Sequence, residues 1–127
     1  MSALVLDAGA FIAVERGDRA MMARLEAAEA DGIELRTSAI VVAQVWRDPA
    51  GRQARLARLL RAVDVRAVDE RLARAAGALL GQAGAADPID ATVVLVAASG
   101  DHILTSDPED LRRLAETADV RVAVVPC

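Results

Sequence analysis

The sequence predicts an α/β fold in three layers, in which helices cover both faces of a central parallel sheet of about five strands. Short apolar runs that are typical of buried strands alternate with segments whose apolar residues recur at helical spacing. Hydrophobic residues make up 54% of the chain, but Phe11 and Trp46 are its only aromatic residues. Small aliphatic side chains must therefore fill the core, which suits helices that pack closely on a sheet.

Each strand is predicted from a short apolar or alternating run, and each helix from an apolar face behind a capping residue. The predicted strands span residues 4–6, 33–37, 63–68, 103–105 and 121–125. They are separated by a helical turn over 9–14 and by helices over 19–30, 39–47, 52–61, 70–82, 88–99 and 108–117. The expected N-caps are Asp18, Ser38, Asp69 and Asp87. We expect the helix over 88–99 to be buried because it is apolar on almost every side.

The composition bounds the domain count and excludes several classes of function. The 127 residues contain no linker or repeat and fit one domain, residues 1–127. All 15 basic residues are arginine, and a chain without lysine has neither a P-loop nor a Schiff-base nucleophile. Cys127 is the only cysteine, which excludes an internal disulfide framework and a cysteine-based zinc site. The net charge of −4 argues against binding to nucleic acid by charge alone.

The distribution of apolar residues predicts a cytoplasmic protein without a membrane partner. No apolar run reaches the ~18 residues of a membrane span. The first residues enter a predicted strand at once and lack the basic and apolar regions of a signal peptide.

Three acidic residues that are far apart in the chain each lie where a strand meets a helix: Asp7, Asp90 and Asp107. Ligands of open α/β sheets bind outside the carboxyl ends of the strands, so we expect these three carboxylates to lie close together. Carboxylates gathered in this way repel each other unless a cation lies between them, and oxygen ligands favour Mg²⁺ or Mn²⁺. The pattern indicates a metal-dependent phosphodiester hydrolase.

A purely structural role is open for two of these acids. Asp90 and Asp107 belong to segments with the same pattern, Asp-Pro-x-Asp, which is a good helix start without any catalysis. Asp7 is harder to explain in this way, because the small residues 8–10 that follow it indicate close approach by another group. The three acids together favour a functional site. Helix N-termini at this edge would help to keep Asp90 and Asp107 ionised.

Four segments carry a resemblance to a known family: VLDAGAFIA at the start, followed by TSAIVVAQVW, DPIDATVVLVA and HILTSDPEDL. In this order and spacing they resemble the PIN domain, and more narrowly the VapC-like toxins of VapBC-type toxin–antitoxin pairs, along essentially the whole chain. The resemblance implies a sandwich of helices around a parallel sheet and an acidic cluster that binds Mg²⁺ or Mn²⁺. It also implies an endoribonuclease that is often a homodimer and is held by a small antitoxin protein.

The resemblance also implies roles for individual residues. Asp7, Asp90 and Asp107 match the first, third and fourth acids of the family, which are catalytic and bind the metal. Thr105 and Ser106 match the hydroxyl residues just before that fourth acid, which implies a supporting or substrate-positioning role for them.

Gln44 stands where the family usually has its second acid, a Glu. A glutamine keeps an oxygen ligand but has no charge and cannot act as a general base, so the resemblance implies that Gln44 positions water or ribose. The sequence therefore predicts a metal-dependent endoribonuclease, the toxin of a type II toxin–antitoxin pair.

The alternative is a catalytically weakened PIN-like module that holds a protein partner or RNA without cutting, and Gln44 is the feature in its favour. A receiver domain would need an acidic pair after the first strand and a lysine. A dinucleotide-binding domain would need a G-x-G-x-x-G motif after that strand. The sequence contains none of these features.

Overall fold

Strands and helices alternate along the chain as the sequence predicts. The computed structural model describes residues 2–127. Its strands are β1 (Ala3–Leu6), β2 (Glu34–Ser38), β3 (Val63–Arg66), β4 (His102–Thr105) and β5 (Ala123–Pro126). Its helices are α1 (Ala8–Glu15), α2 (Arg19–Ala30), α3 (Ala39–Val45), α4 (Ala54–Arg61), α5 (Glu70–Ala83), α6 (Pro88–Val96) and α7 (Pro108–Thr117). A 3₁₀ turn, Pro49–Gly51, lies between α3 and α4.

The five strands form one parallel sheet in the order β3-β2-β1-β4-β5, which confirms the predicted fold class. The central strand β1 places Val5 between Arg36 of β2 and Ile103 of β4. The chain moves outward from β1 through β2 to β3, and then returns to the other side of β1 to form β4. The carboxyl ends of β1 and β4 therefore flank a switch point, where open α/β sheets bind their ligands.

Helices cover both faces of the sheet around a core of small aliphatic side chains. On one side α1 contacts α2 and α4, while α2 contacts β2 and α4 contacts β3. On the other side α5, α6 and α7 contact one another, α6 contacts β1 and β2, and α7 contacts β5. The largest completely enclosed side chains include Phe11, Leu6, Leu35, Ile103 and Leu111. The scarcity of aromatic residues is thus met by Leu, Val and Ile, as the composition predicts.

Helix α6 is more buried than α5 and α7, which lie on the same side of the sheet, as its apolar sequence predicts. Its buried residues are Asp90, Ala91, Thr92, Val93, Val94 and Val96. No single helix in the described part of the chain is long and apolar enough to cross a membrane. By length and composition alone, α5 and α6 pass that test together, but they are bent by 110°.

The buried side chain of Gln53 sets the end of α3 and the start of α4. Its Oε1 accepts hydrogen bonds from the backbone N–H groups of Arg47, at 2.7 Å, and Asp48. Its Nε2 donates to Val45 O at 3.0 Å and to Glu15 Oε1 at 2.9 Å. These bonds take the place of helical ones. α3 therefore ends at Val45 rather than at residue 47, and α4 begins after Gln53 rather than at residue 52.

The buried carboxylate of Asp101 organises the opposite, amino-terminal edge of the sheet. It accepts hydrogen bonds from Ala3 N and Ala98 N, both at 2.7 Å, and from Arg36 Nη1 at 3.1 Å. The bond to Ala98 N holds the chain in a turn. Helix α6 therefore ends at Val96, whereas the sequence predicts that it continues to residue 99. Asp101 is thus a buried acid with three donors, one of them a cation.

Candidate metal centre

Acidic side chains gather at the carboxyl ends of β1 and β4. Asp90, Asp107 and Asp110 each place a carboxylate oxygen within 4.8 Å of the others. Asp7, which follows β1 directly, is 6% exposed, as is Asp90 in the first turn of α6. Asp90 follows helix α5 and not a strand, so the prediction that it lies where a strand meets a helix is wrong. Repulsion by the charge of Asp7 is one of the smaller causes that raise the pKa values of Asp90 and Asp107. The structure therefore brings Asp90 and Asp107 into one group, with Asp7 beside it.

Asp7 is held in place by local and long-range hydrogen bonds. Its backbone is extended and its Oδ1 accepts from Ala8 N at 2.8 Å, so it is the N-cap of α1. Its Oδ2 accepts from the Thr105 hydroxyl at 2.7 Å. Thr105 is completely buried at the end of β4, and its hydroxyl also accepts from Asp107 N at 3.0 Å. One hydroxyl thus connects the acids that follow the two central strands.

Asp107 occupies the N-cap position of α7 but does not cap the helix. Its side chain accepts no hydrogen bond from the first turn of α7, and its backbone has φ −127° and ψ 62°. By contrast, the predicted caps Asp18, Ser38, Asp69 and Asp87 all accept the expected backbone hydrogen bonds. The purely structural interpretation therefore fails for Asp107, whose exposed carboxylate is left available to a ligand.

Asp110 is the acid that the sequence analysis missed. It lies at the third helical position of α7, just as Asp90 lies at the third helical position of α6. The two segments share the pattern Asp-Pro-x-Asp, but the sequence analysis selected the last acid of one segment and the first acid of the other. Equal treatment of the two segments would have found Asp110.

The side chain of Asp90 is largely buried and accepts no hydrogen bond among residues 2–127, although its carboxylate oxygens keep some contact with solvent. Burial is the largest cause that raises the pKa of Asp90, from 3.8 to about 7. Repulsion by neighbouring carboxylates acts in the same direction, in the order Asp87, Asp7, Asp107 and Asp110. Within residues 2–127, no hydrogen bond or ion pair reaches the Asp90 side chain, whereas the equally buried Asp101 has three donors.

Asp107 is affected in the same way by its acidic neighbours. Loss of hydration raises its pKa first, and Asp110 raises it further, through a hydrogen bond and through repulsion. Smaller contributions come from Asp7 and Asp87. In the protein without a cation, burial and mutual repulsion therefore raise the pKa values of both acids, against the lowering that was expected from the helix N-termini.

Gly9 allows the first turn of α1 to approach the end of the sheet. A Cβ atom at this position would lie 3.1 Å from Ser106 Oγ and 3.1 Å from Cys127 Sγ. The close approach predicted from the small residues after Asp7 is thus observed for Gly9, and the approaching groups belong to the same chain. Ser106 itself is exposed, between the buried Thr105 and Asp107.

Comparison with known proteins identifies the family of this chain. The PIN domain family matches residues 4–117, which is most of the chain. The chain belongs to the PIN domain family. Among solved structures, it is similar to a crystal structure of VapBC2 from Rickettsia felis bound to a DNA fragment from their promoter. The TM-score is 0.70 and the sequence identity 14%, over 97% of this chain and 98% of that chain. No curated protein shows a significant match to the chain.

The donor set of this PIN domain fits a hard divalent cation. The grouped ligands are carboxylate oxygens, which Mg²⁺ and Mn²⁺ prefer, and no cationic side chain is paired with them in the described part of the chain. The buried, unpartnered carboxylate of Asp90 is the strongest sign, because a buried charge needs a compensating charge or a proton. A cation among these acids would supply that compensation.

Gln44 of this PIN domain lies exposed on α3. Its side chain takes part in no hydrogen bond within residues 2–127. Asp48, the acid next to α3, lies beyond the end of the helix at φ 40° and is also exposed. Asp48 therefore does not continue the α3 face that carries Gln44.

Proposed function

We propose that this PIN domain is a metal-dependent endoribonuclease that hydrolyses RNA phosphodiester bonds with Mg²⁺ or Mn²⁺. The observation that carries the proposal is the convergence of Asp90, Asp107 and Asp110, beside Asp7, at the switch point of a PIN fold. Asp7, Asp90 and Asp107 are assigned as catalytic and metal-binding residues, and Asp110 is added to them as a further ligand.

The chemistry requires carboxylates that are held rigidly and are ready to lose a proton. A Mg²⁺ or Mn²⁺ ion held by these carboxylates would act as a Lewis acid towards a phosphate oxygen and would lower the pKa of a water molecule, the nucleophile of an in-line hydrolysis. Asp7 is oriented for this role by Thr105, while Asp107 and Asp110 present oxygens from the first turn of α7. A cation at this site would favour the ionised form of Asp90, because it would offset the burial and the repulsion that raise its pKa.

The remaining parts of the proposal concern partners and location. Similarity to VapBC2, together with the resemblance to VapC-like toxins, supports a role as the toxin of a type II pair whose partner is a small antitoxin. A homodimer is proposed on the same resemblance. In the proposed reaction Ser106 and Gln44 position the substrate or water. The single domain and the cytoplasmic location stay predictions.

The second candidate is a PIN-like module that binds RNA or protein without cutting. The uncharged Gln44 in place of the usual Glu favours it, since one family ligand has lost its charge. The two candidates differ in their response to metal, because a module without activity has no need of a cation. Titration of the purified protein with Mn²⁺ distinguishes them, and absence of both binding and cleavage would support the second.

The proposed function is tested by RNA cleavage with Mg²⁺ or Mn²⁺ on the purified protein and on paired Asp→Asn variants. We expect Asp7→Asn and Asp90→Asn to abolish cleavage while circular dichroism shows an intact fold. Asp31→Asn is the matched control, because Asp31 is an exposed acid between α2 and β2, at the other end of the sheet. Unchanged cleavage in both site variants would reject the assigned site.

A further inference from the structure

A cavity of about 380 Å³ lies along α1, next to the candidate metal centre. Its lining consists of Gly9, Ile12, Ala13, Arg16, Asp18, Ser106 and Cys127. Gly9, Ile12 and Ala13 of α1 and its C-cap Arg16 recur at a spacing of three and four, so they lie on one face of that helix. The cavity volume falls within the range of about 300–1,000 Å³ that is typical of sites for small ligands.

One end of the cavity lies beside the candidate metal centre, although none of its four acids is part of the lining. Gly9 and Ser106 are in close approach there, and Ser106 lies between Thr105 and Asp107 in the chain. Thr105 in turn donates a 2.7 Å hydrogen bond to Asp7, so Ser106 connects the cavity lining to the acids that follow β1 and β4.

The other end of the cavity carries a cation. Arg16 is exposed, and it has no carboxylate within 4.0 Å among residues 2–127. The lining also contains an acid, Asp18, which is the N-cap of α2. Its Oδ1 accepts a hydrogen bond from Met21 N at 3.0 Å. Gly9 and Arg16 are about 10 Å apart along the axis of α1, at 1.5 Å per residue. The free cation and the acids thus lie at opposite ends of one cavity.

An apolar surface lies between these two ends. Ile12 is 36% exposed, one of the few large hydrophobic side chains that are exposed in the described part of the chain, and Ala13 lies beside it. Proteins that bind single-stranded nucleic acid combine cations for the backbone with apolar, usually aromatic, side chains for the bases, and here the apolar side chain is aliphatic. The cavity has both features in this order, and the exposed hydroxyl of Ser106 lies at the end nearest the acids.

We propose that this cavity binds the nucleotide next to the scissile phosphate of a single-stranded RNA. Arg16 contacts the outer phosphate of that nucleotide, and Ile12 covers its base. The assignment rests on the proposed nuclease function and adds to it a substrate-binding site along α1.

Binding of RNA measures the cavity separately from cleavage. The probe is a fluorescent mixed-sequence RNA of about eight nucleotides, within the ~4–16 that single-strand binding folds occupy. Fluorescence anisotropy is measured with Ca²⁺, and a gel checks that the RNA stays intact. We expect Arg16→Gln to weaken binding on the order of five- to tenfold and to lower the salt slope by about 0.7, which is one phosphate contact. Ile12→Ala should weaken binding roughly fivefold with the salt slope unchanged.

Each variant has a control on another part of the surface. Arg71→Gln removes the same charge from exposed residues of α5, and Val65→Ala shortens an aliphatic side chain of 40% exposure on β3, the edge strand. Both controls should bind as the wild type does. Equal losses in Arg16→Gln and Arg71→Gln would overturn the proposal, because binding would then depend on net charge alone. A wild-type protein that binds no RNA overturns it as well.

The two proposals fail in different ways. Cleavage that survives in the Asp7→Asn and Asp90→Asn variants rejects the nuclease site, whatever the cavity variants do. Unchanged RNA affinity in both Arg16→Gln and Ile12→Ala rejects the cavity even if the protein cleaves RNA, and is the result expected if a protein partner fills it. In a cleavage assay, a nucleotide site predicts a higher KM for Arg16→Gln with kcat unchanged.

Discussion

The Thr105 hydroxyl donates a 2.7 Å hydrogen bond to Oδ2 of Asp7, which lies 98 residues away in the chain. The Thr105 hydroxyl oxygen also accepts a hydrogen bond from Asp107 N at 3.0 Å. A single buried side chain therefore sets the relative position of two acids. Replacement of a residue that orients a metal ligand in this way typically lowers metal affinity by roughly 10- to 100-fold. Thr105 is therefore a positioning residue for the proposed centre.

Thr105→Val should lower Mn²⁺ affinity by roughly 10-fold or more and destabilise the fold by about 1–3 kcal/mol. Valine keeps the shape of threonine but leaves a buried carboxylate oxygen of Asp7 and the N–H of Asp107 without a partner. Calorimetric titration and urea denaturation measure the two effects. Thr105→Ser keeps the hydroxyl and is the control. A Thr105→Val protein that binds Mn²⁺ as the wild type does would show that the hydrogen bond is dispensable.

Asp90→Asn should raise the melting temperature of the metal-free protein at about pH 8, although it removes a metal ligand. The folded pKa of Asp90 is about 7, above its ordinary value of 3.8. Its protonated form therefore adds stability that is fully present below the ordinary pKa and is lost as the pH rises through about 7. Asparagine stays neutral and avoids that loss.

Melting curves of the wild type and Asp90→Asn across this pH range, in EDTA, measure the difference. The gain should shrink towards zero as the pH falls to about 4, where both side chains are uncharged. Addition of Mn²⁺ should stabilise the wild type and leave the variant almost unchanged. A variant that melts below the wild type at about pH 8 without metal would contradict the buried, unpartnered state of Asp90.

Asp110→Asn should weaken Mn²⁺ binding, because Asp110 shares the group of oxygens with Asp90 and Asp107. Its neighbour Glu109 is exposed in the same first turn of α7 but lies outside that group. Glu109→Gln therefore removes one charge at nearly the same distance from the helix N-terminus without removing a ligand. Titration with Mn²⁺ compares the two variants. Equal losses of affinity would mean that Asp110 acts through its charge alone.

Gln44→Glu should raise Mn²⁺ affinity or cleavage, because it restores the charge that the family usually has at this position. Gln82→Glu is the control, since Gln82 is exposed on α5 and the substitution adds the same charge elsewhere. Single-turnover cleavage and Mn²⁺ titration are the measurements. A fall in both for Gln44→Glu alone would mean that the amide has a role of its own.

The helix starts could be predicted from the sequence because they depend on local chemistry. Asp18, Ser38, Asp69 and Asp87 all cap the helices assigned to them. Asp107 follows the same local rule in sequence, but its side chain accepts no hydrogen bond from the first turn of α7. It lies with Asp90 and Asp110 instead, in a group that only the assembled fold brings together.

The ends of the helices and the membership of the site were less accessible to the sequence. The end of α3 depends on Gln53, whose bond to Glu15 spans 38 residues. The order of the strands likewise follows from packing at long range. The candidate site was predicted as far as the strand ends that carry Asp7 and Asp107, because parallel strands share one edge. Asp110 and the raised pKa of Asp90 depend on how closely the acids approach, which only the assembled fold defines.

The insertion of β4 beside β1 has a consequence for the growing chain. A nascent polypeptide that ends before β4 already holds Asp7 and Asp90, but it lacks Thr105, Asp107 and Asp110. It also leaves one edge of β1 without its strand partner. The proposed metal centre is consequently complete only after synthesis has passed Asp110 and β4 has paired with β1.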